Sequence, residues 1–110
     1  MNKVTTELTA GSKEMADENF MVLVKLAQAE PNLKLEAVME GLKFLLLRVR
    51  RQYGWGLEED VERQMERIGV FTALQLWHGS DRRQFAALAA WQVRRELWNE
   101  VRRERDFKKH

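Results

Sequence analysis

Between Phe85 and Trp91 the chain reads Phe-Ala-Ala-Leu-Ala-Ala-Trp, a run without a single polar side chain. It lies inside a long stretch of strong helix formers with no Pro or Gly. At ~3.6 residues per turn, about two turns of that helix are apolar on every side. A one-sided surface helix does not carry such a run, so either neighbouring helices of the same chain or a second molecule must cover it. The remaining helices have to be arranged around this constraint.

Helical periodicity extends upstream. Residues 1–11 are polar and aperiodic and are expected to form a loose arm, with residues 12–110 as a single helical domain. Ser12 or Asp17 is placed to cap a first helix running to Ala29. Ala16, Phe20, Leu23, Val24 and Ala27 fall on one face, widened by Met15, Val22, Leu26 and Ala29, so this helix is expected to be largely buried. Pro31, the only proline, breaks the pattern, and Asn32 can cap the next helix. That second helix is predicted over residues 33–53, with Leu35, Val38, Met39, Leu42, Leu45, Leu46, Val49 and Tyr53 at steps of three and four. Gly54-Trp55-Gly56 ends it, Gly54 being placed for a left-handed cap.

A third helix opens on Leu57-Glu58-Glu59-Asp60, whose acidic residues complement the helix dipole. Val61, Met65, Ile68, Phe71 or Thr72, and Leu74 continue an inward stripe. Gly69 leaves open one bent helix or two short ones. Ser80 or Asp81 caps the last helix, from Arg82 to about Phe107, along which Ala90, Val93, Leu97 and Val101 hold a narrow stripe with Trp98 at its edge. Nothing alternates as a strand would. The expected architecture is an all-α compact bundle of four to five helices with a long C-terminal helix.

At 110 residues the chain supports one core. A composition of 45% hydrophobic and 33% charged residues fits a folded domain rather than a disordered one. There is no cysteine, which excludes disulfides, thiolate catalysis and Cys-ligated metals. Phe20 to Ala29 is apolar enough for a signal core, but it is interrupted by Lys25 and preceded by acids. No segment approaches the ~20 apolar residues of a membrane span. The expected location is cytoplasmic.

The chemistry-bearing candidates are sparse. His78 and His110 are the only histidines and have no metal-ligand spacing, so no metal or cofactor is expected. Glu58, Glu59, Asp60 and Glu62 belong to a helix start. Ser80 beside Asp81, two residues after His78, is explained by capping, with no nucleophile elbow around it. The chain is therefore not expected to be an enzyme. Lys43, Arg48, Arg50 and Arg51 have no acid among them. The chain's end sets Arg94, Arg95, Arg102, Arg103, Arg105, Lys108 and Lys109 against Glu96, Glu100, Glu104 and Asp106. Mixed signs argue for a solvated face rather than a phosphate-binding one. The net charge of +2 adds no polyanion footprint.

Protein association is the better-supported activity. In the second helix, Leu33, Phe44 and Leu47 fall ~140–180° from the core stripe. Arg48 and Arg51 lie beside them, giving an aromatic–arginine set of the kind that anchors interfaces. Phe85, Leu88, Trp91 and Trp98 are the candidates for self-association, and a homodimer is expected because three other helices are too few to cover the final one on all sides. If Trp91 is core, its truncation to Ala costs ~3–5 kcal/mol. The expected function is that of a small regulatory protein acting by binding a partner protein, such as an antiactivator of a transcription regulator or an adaptor subunit. The alternative is a helical nucleic-acid binder using the basic last helix.

Overall fold

A computed structural model describes residues 18–108 of the chain. The arm expected over residues 1–11, the caps proposed at Ser12 and Asp17, and Met15 and Ala16 lie outside the described residues, as do Lys109 and His110. Five helices account for the described fold: α1 (residues 18–29), α2 (Pro31–Gly41), α3 (Lys43–Tyr53), α4 (Glu59–Leu76) and α5 (Arg82–Lys108). No strand occurs among the described residues.

Pro31 sits in the first turn of α2, where its missing N–H leaves no bond unmade. The helix expected over 33–53 is instead two helices hinged at Leu42, whose N–H reaches back to the carbonyls of Val38 and Met39 at 3.2 and 3.0 Å. Gly41 explains the hinge. A Cβ there would stand 2.5 Å from Cε1 of Phe20, so α1 presses its aromatic ring onto bare backbone at a residue that holds a helix weakly. The inward stripe survives the hinge, with Leu35, Val38, Met39, Leu42, Leu46 and Val49 all buried.

After α3 the left-handed position falls on Gly56 (φ 78°) rather than on Gly54 as expected (φ −96°). Gly54 is there for room, since a Cβ would lie 2.9 Å from the carbonyl oxygen of Arg50. Glu59, Asp60 and Glu62 open α4. This helix continues unbroken through Gly69, where it crosses α5 so closely that a Cβ would meet Val93 Cα at 2.6 Å. Its buried face is Met65, Glu66, Gly69, Val70, Ala73 and Leu74, rotated from the predicted stripe, so Ile68 is exposed. The crossing decides the rotation, because backbone approach at Gly69 selects its own flanks for the core.

Gln28 of α1 donates from Nε2 to the carbonyls of Leu74 and Trp77, each at 2.9 Å, and so satisfies the open end of α4. Asp81 caps α5, its Oδ1 accepting the Gln84 N–H at 3.1 Å. Where α1, α4 and α5 meet, Phe85 packs between Trp77 (edge-on, centroids 5.5 Å apart) and Phe20 (6.0 Å). Val24, Val38, Val70, Val93 and Leu97 complete a core without solvent exposure. On α1 the buried set is Phe20, Met21, Val24 and Ala27, whereas Val22 and Leu26 face outward, so that helix is covered on one side only.

The apolar run of α5 is likewise covered on one side. Phe85 and Ala89 are buried, Ala86, Leu88 and Ala90 are half-buried, and Ala87 and Trp91 are exposed. Its four alanines carry little apolar surface, so solvating them costs little. The bulky residues divide, Phe85 inward and Trp91 outward at 56% exposure. Trp91 is therefore not a core residue, and Phe85 is no part of an outer association surface.

Candidate functional site

Two exposed surfaces carry the large apolar and cationic side chains. The first lies on α2 and α3. Leu33 is 73% exposed, Phe44 76%, and Leu47, Arg48 and Arg51 are exposed as well. Phe44, Leu47, Arg48 and Arg51, at i, i+3, i+4 and i+7, share one exposed face of α3, while Leu33 stands on α2. Phe44 and Leu47 flank an open groove of about 520 Å³ between α2, α3 and α4, floored by Met39 and Leu46 and closed on the α4 side by Arg63 and Glu66. Leu33, Arg48 and Arg51 do not line it. Lys43, above the Phe44 ring at 5.4 Å, is paired with Glu40 at 3.2 Å.

Arg50 stands at the base of that groove and departs from the sequence reading. Its Nε donates to Oε1 of the buried Glu66 and lies 3.8 Å from Oε2 of Glu62. The hydrogen bond to Glu66 raises the guanidinium's affinity for its proton, against an opposing effect of burial. Burial pushes the Glu62 carboxyl above its usual range; Arg50 partly offsets this, while the nearby Glu66 and Glu59 carboxylates add to it. Arg50 is thus the counter-ion of α4 and no member of a basic patch. Among the described residues, no group of three or more His, Asp or Glu is placed to hold a metal ion. No helix among them is long and apolar enough to cross a membrane.

The second surface is the outside of α5. At ~100° per residue, Leu88, Trp91, Arg95, Trp98, Arg102 and Arg105 share an arc of about 100°, with Ala87 and Arg94 on its border. All of these are exposed except Leu88, which is half-buried. Tyr53 of α3 joins Trp91, Arg94, Arg95 and Trp98 in a cleft of about 440 Å³. The Arg94 guanidinium lies over the Tyr53 ring at 4.6 Å and the Trp91 ring at 5.5 Å, so cation–π contacts fix the cleft's edge.

The helix also sorts its charges. Glu96, Glu100 and Glu104 are half-buried on the side turned to the bundle, while Arg94, Arg95, Arg102, Arg103 and Arg105 are exposed. Glu100 holds Arg103 at 3.1 Å. The outer arc carries no carboxylate from Gln84 to Arg105 and one, the exposed Asp106, immediately after. The expected mixing of acids and bases holds at the end of the helix, where Asp106 is exposed beside Arg102, Arg103 and Arg105, but not along the arc before it. Sequence reading named Trp91 and Trp98 but missed Tyr53, Arg94 and Arg95 as their neighbours. The signal was present as the four–three spacing of Leu88, Trp91, Arg95, Trp98 and Arg102.

Compared with protein-family models, curated proteins and solved structures, the chain finds no match in any of the three.

Proposed function

We propose that the chain is a small helical regulatory protein that acts by binding a partner protein. The observation that carries this reading is the exposure of Trp91 and Trp98, at 56% and 49%, around a cleft shared with Tyr53 and two arginines. Tryptophan, tyrosine and arginine are the side chains that dominate interface energetics, and solvating two indoles is unfavourable for a helix with no partner. Helix-on-helix or helix-in-groove association on such a surface occludes the partner's own dimer or ligand surface. That mode of action suits an antiactivator of a transcription regulator or an adaptor subunit. Phe44 and Leu47, with Leu33, Arg48 and Arg51 nearby, form a second contact region in this proposal.

A nucleic-acid-binding reading is favoured by one observation, the outward arginines of α5 beside two indoles. A photo-crosslinking amino acid placed at position 91, and separately at position 44, decides between them in the cells that make the protein. A discrete protein adduct from either position supports the proposal. Adducts only to RNA or DNA, or none, overturn it.

A further inference from the structure

The outer arc of α5 has a geometry that selects its occupant. Gln84, Leu88, Trp91, Arg95, Trp98, Arg102 and Arg105 advance by alternating steps of four and three. That spacing keeps them on one face for about 33 Å of helix at 1.5 Å per residue, in the register a coiled-coil partner follows, with Leu88, Trp91 and Trp98 as its apolar positions and arginines at three of the others. A second helix laid along such a seam crosses it at about 20° and sets its own side chains into the gaps between these residues. The cleft of Tyr53, Trp91, Arg94, Arg95 and Trp98 is one such gap, large enough at about 440 Å³ for a bulky apolar knob. Nucleic-acid bases need free ring faces to stack upon. Here Arg94 already covers one face each of Tyr53 and Trp91.

Charge then narrows the choice. The seam presents Arg94, Arg95, Arg102 and Arg105; Glu96, Glu100 and Glu104 are turned away into the bundle, and Asp106, exposed at the far end, is the one carboxylate on the arc among the described residues. A second copy docking by the same face around a twofold axis doubles these four arginines within one interface, against a single exposed carboxylate, Asp106, from each copy. A basic helix meets the same repulsion.

We infer that the α5 seam is a docking site for an acidic amphipathic helix of a partner protein, its apolar residues at heptad spacing seated around Trp91 and Trp98 and its flanking Asp or Glu paired with Arg94, Arg95 and Arg102. This inference rests on the protein-binding reading above and names its surface and the partner's chemistry.

Three probes test it against the full chain, read by tryptophan fluorescence and by anisotropy of the labelled probe. One is a three-heptad peptide with Leu at the seam positions and Glu at the flanking ones, whose own pairing is suppressed by like charge. The second is the same peptide with Lys at the flanking positions. The third is a mixed-sequence DNA single strand of similar charge. The Glu peptide should bind at least about tenfold more tightly than the Lys peptide. Trp91→Ala with Trp98→Ala should abolish that binding while leaving the circular dichroism spectrum unchanged. Arg95→Glu with Arg102→Glu should reverse the preference between the two peptides. Equal binding of both peptides, tighter binding of the DNA, or a dimer in sedimentation that the double tryptophan variant dissolves overturns the inference. Protein adducts at position 91 alongside failed peptide binding would retain the broader reading and remove only the acidic helix. Adducts to nucleic acid alone would remove both.

Discussion

Replacing Gly69 by Ala should destabilise the fold, although Ala is the better helix former. A Cβ at position 69 would stand 2.6 Å from both Cα and Cγ2 of Val93 and 2.7 Å from its nitrogen. Relaxed contacts between carbon atoms lie at ~3.5–4.0 Å, so the intrusion is about 1 Å. Two of the three atoms are backbone, and no change of rotamer moves them. Helices α4 and α5 must then separate along the seam that buries Val70, Ala73, Ala89, Val93 and Leu97. A gap of ~0.5–1 Å forfeits a quarter to a half of each dispersion contact, and overpacking of this kind costs ~1–3 kcal/mol. Helix propensity returns about 1 kcal/mol. The net loss of up to about 2 kcal/mol should lower the melting temperature by up to about 15 °C for a domain of this size. Calorimetry on Ala and Val at position 69 should show a loss that grows with side-chain volume. Gly56 provides the contrast: its φ is 78° and no atom lies within 4 Å of the added Cβ. There the loss should come from backbone conformation alone and be largely recovered by Asn. A raised melting temperature in Gly69→Ala, or no loss in Gly69→Val, refutes the close crossing.

Arg50→Met strands the Glu66 and Glu62 carboxylates and should cost about 2–3 kcal/mol in urea unfolding at neutral pH, less than for a fully buried pair because the Arg50 side chain keeps 19% exposure. Glu62→Gln should be at least as stable as the parent at neutral pH. The folded state holds the Glu62 proton to a higher pH than the unfolded chain does, so ionised Glu62 is a burden that disappears as pH falls through that window. Denaturation curves should therefore converge on acidification, and divergence would contradict the assignment. Trp91→Ala should change stability by no more than about 0.5–1 kcal/mol, whereas Trp77→Ala at the aromatic junction should cost ~3–5 kcal/mol, compared by thermal melts. Phe44→Asp with Leu47→Asp should melt as the parent does and lose any protein adduct at position 44, while Leu42→Asp should fail to fold.

Much of the helical layout was legible in the sequence because periodicity and breakers report it directly. Pro31, the stripe from Leu35 to Tyr53 and the cap at Asp81 act through local chemistry that needs no knowledge of neighbours. What escaped was set by tertiary contact. The hinge at Leu42 depends on Phe20 meeting Gly41, and the rotation of α4 that exposes Ile68 depends on Gly69 meeting Val93. Arg50 looked like part of a cationic run because its partners, Glu62 and Glu66, lie on another helix. The Phe85–Trp91 run demanded cover on every side by its hydrophobicity, but Phe85 and Ala89 alone are fully buried, and the alanines on the other side tolerate water. The candidate seam of α5 was visible as spacing. Its electrostatic sign was not, since the inward turn of Glu96, Glu100 and Glu104 depends on where α5 meets the bundle.

The α4–α5 crossing also bears on the order of assembly. Five residues separate Leu76 from Arg82, so the two longest helices form a hairpin whose contacts close small loops. Small loops lose little chain entropy on closure, and such contacts form early. Docking Phe20 against Phe85 instead closes a loop of more than sixty residues. The folding nucleus is therefore expected where Gly69 meets Val93, with α1 added last as a latch that seals the end of α4 through Gln28.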